Sequence, residues 1–277
     1  MPHTLSRRDA LTLALALGLA AGCNHSAPGG GGGAGRGGVS GVGVVLLHGK
    51  HGRAGRGPTR PVAEALRAAW IEVREPTMPW AESRYIEGTW NDALDEIAGE
   101  VAALRRAGAT RVVLVGQSLG ACAALSYAAR RRDVDQLCLV SPGHVPSRAF
   151  ARGGAVHDSI AEARTLVAAG HGAEVRTFND ENQGEKLSVR MRADAYLTYF
   201  DPEGDAEMSR MAPLVPPGIP VLTVVGTGDP IFSWGKRAIF DRLPANPRSR
   251  YVEANGDHFS TGAAAAGVIA EWVKTQA

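Results

Sequence analysis

A serine stands between two glycines at Gly116-Gln117-Ser118-Leu119-Gly120, directly after the β-branched run 111–115 and directly before a helical stretch. A strand that enters a tight turn and leaves it as a helix holds a serine hydroxyl clear of the backbone. A neighbouring base can then take its proton while the oxygen attacks an acyl carbon. Glycine on both flanks removes the Cβ atoms that would collide as strand and helix close around that serine. The five-residue pattern arises easily by chance in a chain with 35 glycines, so the strand before it and the helix after it carry the argument. An ordinary strand-to-helix turn is the alternative. Other constellations are weaker. His48 and His51 have no third ligand spaced nearby and no His-Glu-x-x-His pattern exists, so neither a metal nor a cofactor is expected. Gly33, Gly35 and Gly38 have the spacing of a dinucleotide loop, but they precede a strand instead of following one.

The elements that must position Ser118 are legible as alternating runs. Residues 42–47, 70–73, 111–115, 136–140, 220–225 and 250–253 read as strands. Most are apolar without alternation, as strands buried on both faces of a parallel sheet should be. Between them lie helical patterns. In 91–107 the residues Leu94, Ile97, Val101 and Leu104 form one apolar stripe, and Gly108 closes the helix. Pro61 sits in the first turn of a helix ending near Ala69, and the last helix, about 260–274, should bury Val268, Ile269, Trp272 and Val273. The alternation implies an α/β fold: a doubly wound, mostly parallel sheet with helices on both faces. The segment 152–217 is longer and less regular than the other connections and is expected to form a small cap.

With the serine turn and this strand order together, residues 42–277 resemble the α/β-hydrolase superfamily, in its esterase and lipase group. The resemblance rests on four short motifs. Val44-Val45-Leu46-Leu47 runs into His48-Gly49-Lys50, where the family begins its oxyanion loop, so the backbone N–H groups of Lys50 and Leu119 are implied as oxyanion donors. His48 is then a structural residue under that loop. Asp229 follows the run 220–225, where the family places its acid, with Asp201 as the rival. A turn aspartate before Pro230 is the plainer alternative. Of eight histidines only His258 follows the last strand in the family's Ser…Asp…His order, while Asp257 beside it is expected to cap the final helix. The resemblance therefore implies a catalytic triad of Ser118, His258 and Asp229 acting on a small-molecule acyl substrate. The elbow carries no aspartate nucleophile, which argues against haloalkane or epoxide chemistry.

The substrate is less legible. Trp80, Tyr85 and Trp90 follow the second strand, and Tyr196, Tyr199 and Phe200 lie in the expected cap. Trp80, Tyr85 and Tyr199 are the candidates for an acyl pocket, although aromatics at such spacings also serve as core. Lys50 beside the oxyanion loop would suit an anionic substrate, but it reads more plainly as an exposed lysine. An acyltransferase with the same triad, or a binding protein that keeps the fold without catalysis, remain alternatives to a hydrolase.

Composition bounds the rest. A chain of 277 residues, 44% hydrophobic and 21% charged, suits one α/β domain, and a net charge of +2 gives no reason to expect nucleic acid. Arg7 and Arg8 precede an apolar run at 10–21, which reads as a signal peptide over 1–22. Leu19-Ala20-Ala21-Gly22-Cys23 resembles a bacterial lipoprotein cleavage site, implying a lipid anchor at Cys23 and a membrane-held body outside the cytoplasm. Ser6-Arg7-Arg8-Asp9-Ala10-Leu11 resembles a twin-arginine export signal, with Ala10 where that motif prefers phenylalanine. An uncleaved anchor is the alternative. The glycine-rich stretch 23–41 reads as a flexible tether. Cys122 and Cys138 lie in apolar runs and are expected to be buried thiols, with a bridge between them as the alternative.

Overall fold

The apolar runs pair side by side as one sheet in the computed structural model, which describes residues 41–275. Its strands are β1 (Val42–Leu47), β2 (Glu72–Arg74), β3 (Arg111–Gln117) and β4 (Gln136–Val140), followed after a two-stranded hairpin by β7 (Val221–Gly226) and β8 (Arg250–Ala254). The hairpin is β5 (Val175–Asn182) with β6 (Glu185–Arg192), antiparallel and separate from the main sheet. Sheet order is β2-β1-β3-β4-β7-β8, every pairing parallel. The helices are α1 (Arg60–Ala68), α2 (Trp90–Arg106), α3 (Leu119–Arg131), α4 (Pro146–Arg152), α5 (Ala155–Ala168), α6 (Ala193–Phe200), the short α7 (Met208–Met211) and α8 (Gly235–Ala238), and α9 (Thr261–Thr275).

Alternate strand residues feed two separate cores. Val45, Leu47, Leu114 and Leu139 pack under α2 and α3, while Val44, Leu46, Val113 and Val115 pack under α1 and α9. Burial on both faces is why these strands read as unbroken apolar runs. The pairing register sets Leu47 opposite Gly116, Gln117 opposite Val140, and Val140 opposite Val224. The carboxyl ends of β1, β3, β4 and β7 therefore finish level, and the loops leaving them meet on one edge. Such an edge is where open α/β sheets bind ligands.

Besides shifts of one or two residues at element ends, three features differ from the sequence expectation. Trp70 is not in a strand: it has φ 61° and is 78% exposed. Its N–H donates to Arg67 O and that of Ile71 to Leu66 O, so Trp70 occupies the left-handed position that closes α1, a place usually taken by glycine. Val268 is 47% exposed, whereas Ile269, Trp272 and Val273 are buried as expected. The insertion before β7 begins directly after β4 and contains α4, α5, the β5–β6 hairpin, α6 and α7, so it is wider than 152–217. Cys122 and Cys138 are buried and free. The expected signal peptide, the expected tether up to residue 40 and Cys23 lie outside the described residues.

Candidate active site

Ser118 caps β3 with φ 54° and ψ −116°, a left-handed φ that a residue with a Cβ rarely adopts. Two glycines make this turn possible. A Cβ on Gly116 would lie 2.2 Å from Gly120 O, and one on Gly120 would lie 2.3 Å from Leu47 O. The Ser118 N–H is tied to Val140 O at 3.0 Å, and its carbonyl accepts from Ala121 and Cys122 as α3 begins. The glycine spacing thus locks strand, serine and helix against the neighbouring strands.

Two loops bring the other side chains to this hydroxyl. His258 Nε2 lies 3.0 Å from Ser118 Oγ, and His258 Nδ1 lies 3.0 Å from Asp229 Oδ2. The histidine and aspartate side chains are only 5% and 1% exposed. Burial alone would raise the Asp229 carboxyl pKa. The hydrogen bond from His258, with the Ile231 N–H donating to Oδ1 at 3.1 Å, outweighs it and holds the group below its ordinary range. An ionised Asp229 can only accept, so His258 donates Nδ1–H to it and keeps Nε2 free to accept the serine proton. Gln117 Nε2 donates to His258 O at 3.2 Å and fixes the loop from below.

The neighbouring acids do other work. Asp257 Oδ1 accepts from the N–H groups of Phe259 and Ser260, closing the turn ahead of α9. Asp201 is held by both Arg164 Nε and Nη2, at 2.8 and 2.6 Å, inside the insertion and apart from His258.

The β1 loop completes the edge. Gly49 presses against the serine turn so closely that a Cβ there would lie 3.0 Å from Ser118 Cβ. Below it, burial lowers the His48 pKa, and the neutral ring donates Nδ1–H to Gly49 O at 2.8 Å while Nε2 accepts from Met78 N at 3.1 Å. The Lys50 and Leu119 N–H groups have no hydrogen-bond partner among the described residues, and both residues line one cavity with Ser118. Two unpaired backbone donors beside a serine hydroxyl can stabilise negative charge on a bound oxygen.

The sequence profile of the alpha/beta hydrolase family matches residues 44–271. The chain belongs to the α/β-hydrolase family. No curated protein sequence matches it. Among solved structures, a monoacylglycerol lipase from Paleococcus ferrophilus has a TM-score of 0.59 at 21% identity, over 85% of this chain and 95% of that one. Est1E of Butyrivibrio proteoclasticus, solved with ferulic acid bound, also has a TM-score of 0.59, at 17% identity over 84% and 86%. Mouse alpha/beta hydrolase domain-containing protein 10 has a TM-score of 0.55 at 16% identity, over 82% and 86%. At these identities the likeness is one of fold.

The cavity of this α/β-hydrolase, about 430 Å³, is walled on its far side by the insertion. Lys50 is not the exposed lysine its position suggested. Its side chain is 6% exposed, with Nζ 2.7 Å from Asp180 Oδ1 and 3.1 Å from Glu181 O on the β5–β6 hairpin. Tyr85 also donates to Asp180, which places that pocket candidate behind the wall. Trp80 and Tyr199 do not line the cavity. Trp80 is fully buried, with its indole N–H on His48 O at 2.7 Å and its ring stacked on Trp90. Tyr199 is fully buried against the edge of Trp90, its hydroxyl reaching Thr89 O at 3.3 Å.

The residues that do form the wall were missed. They include Asp180, His144, Arg148 and Trp234. His144 donates Nε2–H to Tyr199 O at 2.8 Å, and enclosure by protein together with the Lys50 charge holds its pKa down to about 4, so it stays neutral. One signal for Asp180 was available. Phe178 and Asp180 alternate inward along β5, as do Val189 and Met191 along β6, so the carboxylate stands on the apolar face of a strand. Among the described residues no cluster of three or more His, Cys, Asp or Glu side chains is placed to hold a metal ion.

Proposed function

We propose that the protein is a serine hydrolase that cleaves a carboxylic ester or a related acyl substrate through a Ser118–His258–Asp229 triad and an acyl-enzyme. The continuous chain of hydrogen bonds from Asp229 through His258 to Ser118, opening on a cavity with two free backbone N–H groups, carries this reading. Ser118 Oγ attacks the acyl carbon as its proton passes to His258 Nε2. The carbonyl oxygen takes up the negative charge between the N–H groups of Lys50 and Leu119. The imidazolium returns the proton to the departing alcohol, leaving the acyl group on Ser118. A water then loses a proton to His258, adds to the acyl carbon and releases the acid with Ser118 restored.

An active-serine fluorophosphonate probe tests this directly. The wild-type protein should become labelled at Ser118 and Ser118→Ala should not. A wild type that ignores the probe, or a variant that labels equally, overturns the reading. The body is also taken to act outside the cytoplasm on a lipid anchor at Cys23. Cys23→Ala should then move the protein from the membrane fraction to the soluble one, and continued membrane retention rules the anchor out.

A further inference from the structure

The cavity wall carries three cations and two carboxylates, and they do not all pair. Lys50 is matched by Asp180, and Arg152 Nη2 lies 3.0 Å from Glu181 Oε2. Arg148, on α4, has no carboxylate partner among the described residues. Its guanidinium carbon lies 4.2 Å from the centre of the Trp234 ring, which follows the loop that bears Asp229. Stacking on an indole fixes the plane of a guanidinium and covers one face. The N–H groups along its edge stay free, in the fork that fits a carboxylate at two points. The two cavity carboxylates that would repel an anion are already neutralised by Lys50 and Arg152. The same cavity offers Leu119, Val145, Val156 and Phe200, surface suited to a short methylene chain.

Resting on the hydrolase reading above, we infer that the substrate is an ester carrying its own carboxylate, with Arg148, seated on Trp234, as the residue that selects it. The anion sits at the insertion side of the cavity while the scissile carbonyl lies at Ser118. A neutral ester fills the same volume but leaves the guanidinium without a partner, so the preference is expressed as a ratio between matched esters.

The test uses two such pairs on the full chain. One pair places the charge on the acyl part: 4-nitrophenyl hydrogen adipate against 4-nitrophenyl hexanoate. The other places it on the leaving part: 4-acetoxybenzoate against its methyl ester. In at least one pair the wild type should favour the anionic ester in kcat/KM by about tenfold, the pair showing which end carries the charge. Arg148→Gln should bring that ratio down to near one, Arg148→Lys should restore part of it, and added salt should shrink it in the wild type. A ratio near one for wild type in both pairs, or a ratio untouched by Arg148→Gln, overturns the inference while leaving the hydrolase reading intact. Should no ester turn over and the phosphonate fail to label, the hydrolase reading itself falls. Calorimetric titration with adipate then decides the anion site alone: binding about tenfold weaker in Arg148→Gln sustains it, and equal or absent binding in the wild type ends it.

Discussion

His258→Ala is expected to lower kcat/KM on any ester the protein hydrolyses by about 10⁴- to 10⁶-fold, because base and acid are lost together. Among the described residues the imidazole is the only group that reaches both Ser118 Oγ and Asp229 Oδ2, each at 3.0 Å, and no second histidine can replace it from the same loop. Asp229→Ala should cost less, about 10⁴-fold. Ser118 and the two backbone donors survive, and only the tautomer and orientation of His258 are lost. Steady-state rates on a 4-nitrophenyl ester, with near-ultraviolet circular dichroism to confirm the fold, measure both. The informative reversal is a variant series in which Asp201→Ala abolishes activity and Asp229→Ala does not. The two-point grip of Arg164 on Asp201 argues against that outcome.

The second large effect concerns stability. Asp180→Ala should destabilise the protein by about 3–5 kcal/mol, since it strands the Lys50 ammonium in a site where both side chains are almost wholly buried. For a domain of this size that corresponds to a fall in melting temperature of roughly 10 °C. The pair Lys50→Met with Asp180→Leu should recover most of the loss, because neither charge then has to leave water. Urea unfolding of Lys50→Met, Asp180→Leu and the double variant gives the coupling. Strictly additive losses would mean that the ion pair is not what joins the β1 loop to the hairpin. The double variant should still turn over more slowly than wild type, because the backbone N–H of residue 50 would no longer be fixed by its own side chain.

The inner strands were legible because they are buried on both faces, so 42–47 and 136–140 match the observed β1 and β4 residue for residue, whereas the polar, part-exposed edge strand β2 lies at 72–74 instead of 70–73. Ser118 was legible for a local reason, the glycines that must lie against Leu47 O and Gly120 O. Asp229 and His258 required the family's chain order, since neither carries a local mark that separates it from Asp201 or from other loop histidines. The hairpin was not legible. Its outward residues are polar and only alternate positions face the core, while the turn at Gln183-Gly184 owes its shape to two positive φ values that no apolar run announces. The aromatics show a different limit. Trp80 and Tyr199 satisfy their polar atoms on backbone carbonyls of His48 and Thr89, contacts set by tertiary packing between distant segments, so spacing alone could not tell pocket from core.

The backbone at residue 118 has one further consequence. A left-handed φ costs a residue with a side chain on the order of 1–3 kcal/mol, and glycine escapes most of that cost. The sheet and its two helical layers therefore hold the hydroxyl in a posture the local chain resists. Ser118→Gly should therefore relax the turn and give a sturdier scaffold that lacks the hydroxyl. On the hydrolase reading, durability and reactivity are opposed at a single peptide unit.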